Sequence, residues 1–226
     1  MDDLLSVIEV ETAENPQFSV IWLHGLGADS SDFVPIVPEL GINKAYAVRF
    51  IFPDAPLIPV TCNGGNVMRA WYDIISLDSH SRQIEEAGIL ASRAAIRALM
   101  AREHQRGIRS GQIFIAGFSQ GGAVAYYTAL THPETLAGVI ALSTYLPSPR
   151  LQFEEASPAS RKTPIFVAHG SMDEVVSLAL GLAARELLIK NNYRLAWHEY
   201  PMGHAVCPSE INTIGQWLNA RMAAQP

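Results

Sequence analysis

Hydrophobic positions along this chain fall into short, dense runs separated by stretches of helical period. Residues 18–23 (Phe-Ser-Val-Ile-Trp-Leu), 47–52, 112–116, 136–142, 164–168 and 195–200 are each too short for a helix, and several are rich in β-branched or aromatic side chains. They predict strands. The central runs show no alternation, as expected of parallel strands covered on both faces. Residues 6–12 do alternate, like a half-exposed strand. With the polar turn at residues 14–17 they predict an opening antiparallel hairpin with residues 18–23. Asp29, Ser30, Ser31 and Asp32 offer N-caps for a short helix through Phe33, Ile36 and Val37. Helical spacing recurs over residues 81–106, 179–188 and 208–222. In the first of these, Glu86, Arg93 and Arg97 share a face expected to be solvated. Ala87, Ala91, Ala94 and Ala98 share the face expected to lie on a sheet. Strand and helix alternate throughout, so the predicted class is α/β: a mostly parallel central sheet with helices on both faces and an N-terminal antiparallel hairpin. No repeat, low-complexity tract or linker divides residues 1–226, and a single domain is expected.

Two segments stand outside this rhythm. Residues 57–70 have no usable period and carry Pro59, Gly64, Gly65 and Asn66; connections of that length are more often functional than accidental. Residues 146–163 are rich in Pro and Ser and read as a surface excursion.

Composition narrows the function classes. Of 226 residues 49% are apolar and 17% charged, ample for a large core. The net charge of −6 and the lack of a basic run speak against nucleic acid or anionic lipid as partners. No apolar run approaches the roughly 18 residues of a membrane span. Met1-Asp2-Asp3 is acidic, without the basic start of a secretory signal. Cys62 and Cys207 make no disulfide framework and are expected to be free thiols. A soluble cytoplasmic protein is expected.

The chemistry is concentrated in residues 112–127. An Ile/Phe-rich strand runs into Gly117-Phe118-Ser119-Gln120-Gly121, and a small-residue helix follows. Gly-x-Ser-x-Gly between strand and helix is a nucleophile-elbow pattern. Ser119 would sit strained at the tip of a tight turn. Side chains two residues before and after it would strike each other and the neighbouring strand. A serine hydroxyl is almost wholly protonated near neutrality and needs a base, which in turn needs an orienting group. In elbow-type sites the order along the chain is Ser, then Asp or Glu, then His, each at the C-terminal end of a strand. Asp173 and Glu174 both follow residues 164–168, and position favours Asp173 without excluding Glu174. Of seven histidines, only His204 lies after that acid on a loop following a strand. His24 and His169 fit loop-bracing roles better. Acyl transfer also needs oxyanion donors. The backbone N–H of Gln120 sits at a helix N-terminus, and that of Leu26 lies in the loop His24-Gly25-Leu26-Gly27.

Leu23-His24-Gly25-Leu26-Gly27, Trp71-Tyr72-Asp73-Ile74, Gly117-Phe118-Ser119-Gln120-Gly121-Gly122-Ala123, His169-Gly170-x-x-Asp173 and Gly203-His204 together resemble the carboxylesterase/acyl-protein thioesterase family of α/β-hydrolases. The resemblance runs from about residue 18 to 220. Residues 141–145 and 200–204 lean toward its bacterial carboxylesterases. It implies an α/β-hydrolase fold and a triad of Ser119, Asp173 and His204. It also implies an oxyanion hole from Leu26 and Gln120. No metal or organic cofactor is implied. The implied reaction is hydrolysis of short- to medium-chain carboxylic esters, with thioesters of acylated proteins as the alternative. Some members are dimers, so a homodimer is an expectation of the resemblance. Residues 57–70 become a flap beside the acyl groove, with Leu57, Val67, Met68 and Trp71 as its expected apolar wall. A non-catalytic binding module of the same fold is the remaining alternative, and the presence of all three triad residue types weighs against it.

Overall fold

The computed structural model describes residues 4–77 and 82–225. Its strands and helices, in chain order, are β1 (Val7–Glu11), β2 (Phe18–Leu23), β3 (Val48–Pro53), β4 (Leu57–Val60), β5 (Asn66–Arg69), β6 (Ile74–Leu77), β7 (Arg82–Ile84), α1 (Glu86–Gln105), β8 (Ile113–Phe118), α2 (Gln120–Leu130), β9 (Gly138–Leu142), α3 (Pro149–Glu154), β10 (Ile165–Gly170), α4 (Leu178–Lys190), β11 (Leu195–Tyr200) and α5 (Pro208–Ala223). Seven strands form one sheet in the order β1-β3-β2-β8-β9-β10-β11, parallel except at β1.

The antiparallel start is present, but its pairing differs from a hairpin. β1 pairs with β3, which lies between β1 and β2. The burial of each strand explains the order. β2 is buried at all six positions and takes an interior place, whereas β1 is half-exposed and suits the edge.

Alternate residues of each strand feed two cores. On one face Ile21, Leu23, Ile115 and Val139 pack with Ile96 and Leu99 of α1, with α2, and with Ala184 and Leu188 of α4. On the other, Val20, Trp22, Phe50, Phe114 and Phe166 pack with Phe33, Leu40 and with Ile214, Leu218 and Met222 of α5. Residues 29–40 form two short 3-10 turns, Val34–Ile36 and Pro38–Leu40, in place of one helix, because Pro35 and Pro38 interrupt it.

The long helix begins at Glu86, later than its periodicity suggested. Ser81 lies outside the described residues, and Arg82–Ile84 is a strand. Its buried stripe is Ile89, Ser92, Ile96, Leu99, Met100 and Glu103, so the alanine face is not the sheet-facing one; Ala87, Ala91 and Ala94 are exposed. The larger apolar side chains win the core because burying one stabilises by about 1.5–3 kcal/mol, more than a methyl group can. Nor is the charged face merely solvated. Arg93 pairs with Glu155, and Arg97 donates to the Thr131 carbonyl at 2.5 Å.

Residues 57–70 are an antiparallel hairpin, β4 with β5, closed by a 3-10 turn at Thr61–Asn63. Asp73 holds that turn by accepting from the Thr61 N–H (2.7 Å) and hydroxyl (2.6 Å). Residues 146–163 contain α3 and a 3-10 turn at Ala159–Lys162.

Candidate active site

β8 ends at Phe118, α2 starts at Gln120, and Ser119 between them has φ 55° and ψ −119°. That backbone conformation costs of order 1–3 kcal/mol for a residue with a side chain. It persists because both backbone groups of Ser119 are held. The Ser119 N–H donates to the Leu142 carbonyl at 2.9 Å, and its own carbonyl accepts from the Thr144 hydroxyl at 2.6 Å. A Cβ on Gly117 would lie 2.3 Å from the Gly121 carbonyl oxygen. One on Gly121 would lie 2.5 Å from the carbonyl oxygens of Leu23 and His24. The elbow therefore requires glycine at both places.

Three separate loops at the C-terminal edge of the sheet bring Ser119, Asp173 and His204 together. His204 Nε2 lies 2.9 Å from Ser119 Oγ, and its Nδ1 lies 2.7 Å from Asp173 Oδ2. The other Asp173 oxygen accepts the Val175 and Val176 N–H groups at 2.9 and 2.8 Å. Burial pushes the Asp173 pKa up. The His204 hydrogen bond and the two backbone donors outweigh it and hold the carboxyl below its ordinary value. An ionised Asp173 keeps the proton on Nδ1 and leaves Nε2 free to accept from the serine. Glu174, the competing acid, is exposed. Gly170 makes the approach possible, since a Cβ there would meet the Gly203 carbonyl oxygen at 2.3 Å. Phe118 packs on the His204 ring at 4.6 Å between centroids.

His24 and His169 brace loops. His24 Nε2 accepts the Ala55 N–H at 3.1 Å, so the proton is on Nδ1, which donates to the Gly25 carbonyl at 2.7 Å. Burial holds its pKa below the ordinary histidine value, against the pull of Gly25 and Asp54. His169 Nε2 donates to the Val176 carbonyl at 2.8 Å, in the loop that carries Asp173. His198 stacks on Phe166 at 4.7 Å.

Leu26 and Gln120 flank Ser119 at one cavity, and neither backbone N–H is engaged by another described residue. The Gln120 side chain has a task that the sequence reading did not assign. Its Oε1 accepts the Trp71 N–H at 2.9 Å and its Nε2 donates to the Tyr72 carbonyl at 2.7 Å. Trp71 Nε1 in turn donates to the His24 carbonyl at 2.9 Å. Thus Gln120, Trp71 and His24 tie the elbow to the loop bearing Leu26. Arg69 adds a clamp through the Ala55 carbonyl (2.8 Å) and Asp54 (3.2 Å).

The cavity beside Ser119 has a volume of about 230 Å³, and its apolar wall includes Ile74, Leu77, Phe118, Val175 and Val176. None of the four residues expected to wall the groove lines this cavity. Leu57 and Val67 are 64% and 65% exposed on the β4–β5 hairpin. Met68 lies against Gly27, and Trp71 is buried with its indole on the His24 carbonyl. For Leu57 and Val67 the physical reason is that the segment pairs with itself as a hairpin, which turns alternate side chains to solvent. The wall comes instead from β6 and from residues 175–176. Both cysteines are free. Among the described residues no group of three or more His, Cys, Asp or Glu is placed to hold a metal ion, and no helix is long and apolar enough to cross a membrane.

A parallel sheet with a strained serine at a strand–helix elbow, followed in chain order by Asp and His loops at the same edge, defines an α/β-hydrolase with serine hydrolase chemistry. The chain belongs to the phospholipase/carboxylesterase family, whose sequence pattern matches residues 5–222. It is 40% identical to acyl-protein thioesterase 1 of Neurospora crassa over 90% of this chain and 86% of that protein. The crystal structure of Arabidopsis thaliana SOBER1 superposes with a TM-score of 0.86 at 31% identity, over 91% of this chain and 99% of that one. Zea mays acyl-protein thioesterase 2 does so with a TM-score of 0.84 at 26% identity, over 96% and 99%.

Proposed function

We propose that this protein is a carboxylesterase acting on short- to medium-chain esters through a Ser119–His204–Asp173 triad. The observation that carries the reading is His204 bridging Ser119 and Asp173 at hydrogen-bonding distance on both ring nitrogens. Ser119 Oγ attacks the acyl carbonyl while His204 Nε2 takes its proton. The tetrahedral oxyanion is held by the Leu26 and Gln120 N–H groups, and His204 then protonates the departing alkoxide. Water repeats the sequence on the acyl-enzyme, with His204 first as base and then as acid, and releases the carboxylic acid. Asp173 keeps the imidazole in the tautomer this needs. The small apolar cavity favours compact acyl groups, since drug-sized ligand pockets run to about 300–1,000 Å³.

A second reading, cleavage of S-acyl groups from proteins, is favoured by the 40% identity to an acyl-protein thioesterase. It uses the same residues. Comparing kcat/KM for p-nitrophenyl esters of increasing length with that for an acylated-peptide thioester tests both. A preference for short esters is expected. A large preference for the peptide thioester would replace the first reading with the second.

A further inference from the structure

A cavity of about 700 Å³ lies remote from the triad. It opens at the other end of the sheet, where β10 and β11 begin at Ile165 and Leu195. The five steps along a six-residue strand, at about 3.3 Å each, put it roughly 17 Å from the catalytic edge. Four cations line it: Arg161, Lys162, Arg194 and Arg221, with Trp217 beside them. Among the described residues, no Asp or Glu is in its wall.

These charges are not spent on the protein itself. Among the described residues Arg161 donates weakly, at 3.4 Å, to the Asn191 carbonyl, and none of the four makes an ion pair. The buried Nε of Arg221 has no hydrogen-bond partner there. A chain of net charge −6 thus gathers four of its 16 Lys and Arg side chains in one concave place without a counter-charge among the described residues. Like charges so arranged repel one another, and a cleft with low-dielectric walls focuses their field outward. Guanidinium groups match phosphate oxygens in pairs, and an indole offers an apolar face to the rest of a ligand.

We propose that this groove is a second site, separate from the esterase centre, that binds a phosphate-bearing organic anion. The phosphate lies among Lys162, Arg194 and Arg221, and the organic portion lies against Trp217. The occupant is a free organic phosphate or the headgroup of an anionic phospholipid, since both present the same group to the cations.

Isothermal titration calorimetry of the full chain with AMP, with adenosine as the uncharged control, tests the site. The Lys162→Glu/Arg194→Glu double variant provides the second arm, because both side chains are exposed and make no ion pair among the described residues. Sedimentation with phosphatidylcholine vesicles containing phosphatidic acid distinguishes the sources. The expected result is saturable binding of AMP or of the vesicles. It should weaken with rising salt and by at least about tenfold in the double variant, or roughly 1.4 kcal/mol. Ester hydrolysis by the variant should be unchanged, which separates this site from the triad. Binding of neither probe, adenosine binding as tightly as AMP, or equal binding by the double variant would each overturn the proposal.

Discussion

At Asp173 a single carboxylate serves three partners, His204 and the N–H groups of Val175 and Val176. Asp173→Asn keeps the shape but can offer its amide N–H to His204, which turns the imidazole to the wrong tautomer. The kcat for p-nitrophenyl butyrate should fall by about 10⁴ with an unchanged circular dichroism spectrum. A loss below tenfold would remove Asp173 from the mechanism. Gly121 makes a prediction of the opposite kind, on stability. Gly121→Ala would press a methyl group into the backbone of Leu23 and His24. Urea unfolding should show destabilisation of about 3 kcal/mol or more, at the upper end of overpacking costs. A variant as stable as the parent would contradict the close approach described for the elbow. Both residues were legible in the sequence because chemistry and sterics leave few substitutes at an elbow. The Gln120 side chain was not. Its partners are the backbones of Trp71 and Tyr72, 49 and 48 positions away, and no local pattern announces such a contact.

Element by element, the strands were readable and their neighbours were not. A run such as residues 18–23 declares itself buried, but only the assembled sheet shows that β3 stands between β1 and β2. The buried face of α1 is not legible for a related reason. Helical spacing admits two stripes, and the choice belongs to the elements packed against it. Glu103 illustrates this, a fully buried acid on the core stripe that accepts from Ser19 (2.6 Å) and Arg49 (2.7 Å). α5 carries a second buried acid near its start. Glu210 has one weak partner, the Cys207 N–H at 3.4 Å, and its Oε1 has none among the described residues. Burial raises its carboxyl to about 7, against the lowering pull of that N–H. The folded pKa is above the unfolded one, so the folded state holds the proton more tightly. That contribution is complete below about pH 4.5 and is lost as pH rises through about 7. Glu210→Gln should therefore flatten the fall of Tm between pH 5 and 8 and stabilise the protein at pH 8, by of order 3 kcal/mol at most. A variant whose Tm follows the parent's at every pH would contradict a perturbed Glu210.

Over the whole molecule, both sites are assembled from distant parts of the chain. Residues 119, 173 and 204 meet because β8, β10 and β11 run parallel and deliver their following loops to one edge. Parallel sheets make that meeting predictable, which is why the order Ser, Asp, His could be read in advance. The acyl wall was less legible. Apolar residues in a hairpin can face either way, and those at residues 57 and 67 face solvent. The basic groove was invisible, because Lys162, Arg194 and Arg221 form no run in the sequence and meet only where two strand starts pass the end of α5. The central claim concerns the first of these assemblies: Ser119 is a nucleophile activated by His204. Intact-mass analysis with peptide mapping after reaction with a fluorophosphonate tests it most directly. A single adduct on Ser119, absent from Ser119→Ala and strongly slowed in His204→Ala, is the expected result. An unlabelled, folded wild-type protein, or an adduct retained by Ser119→Ala, would contradict it.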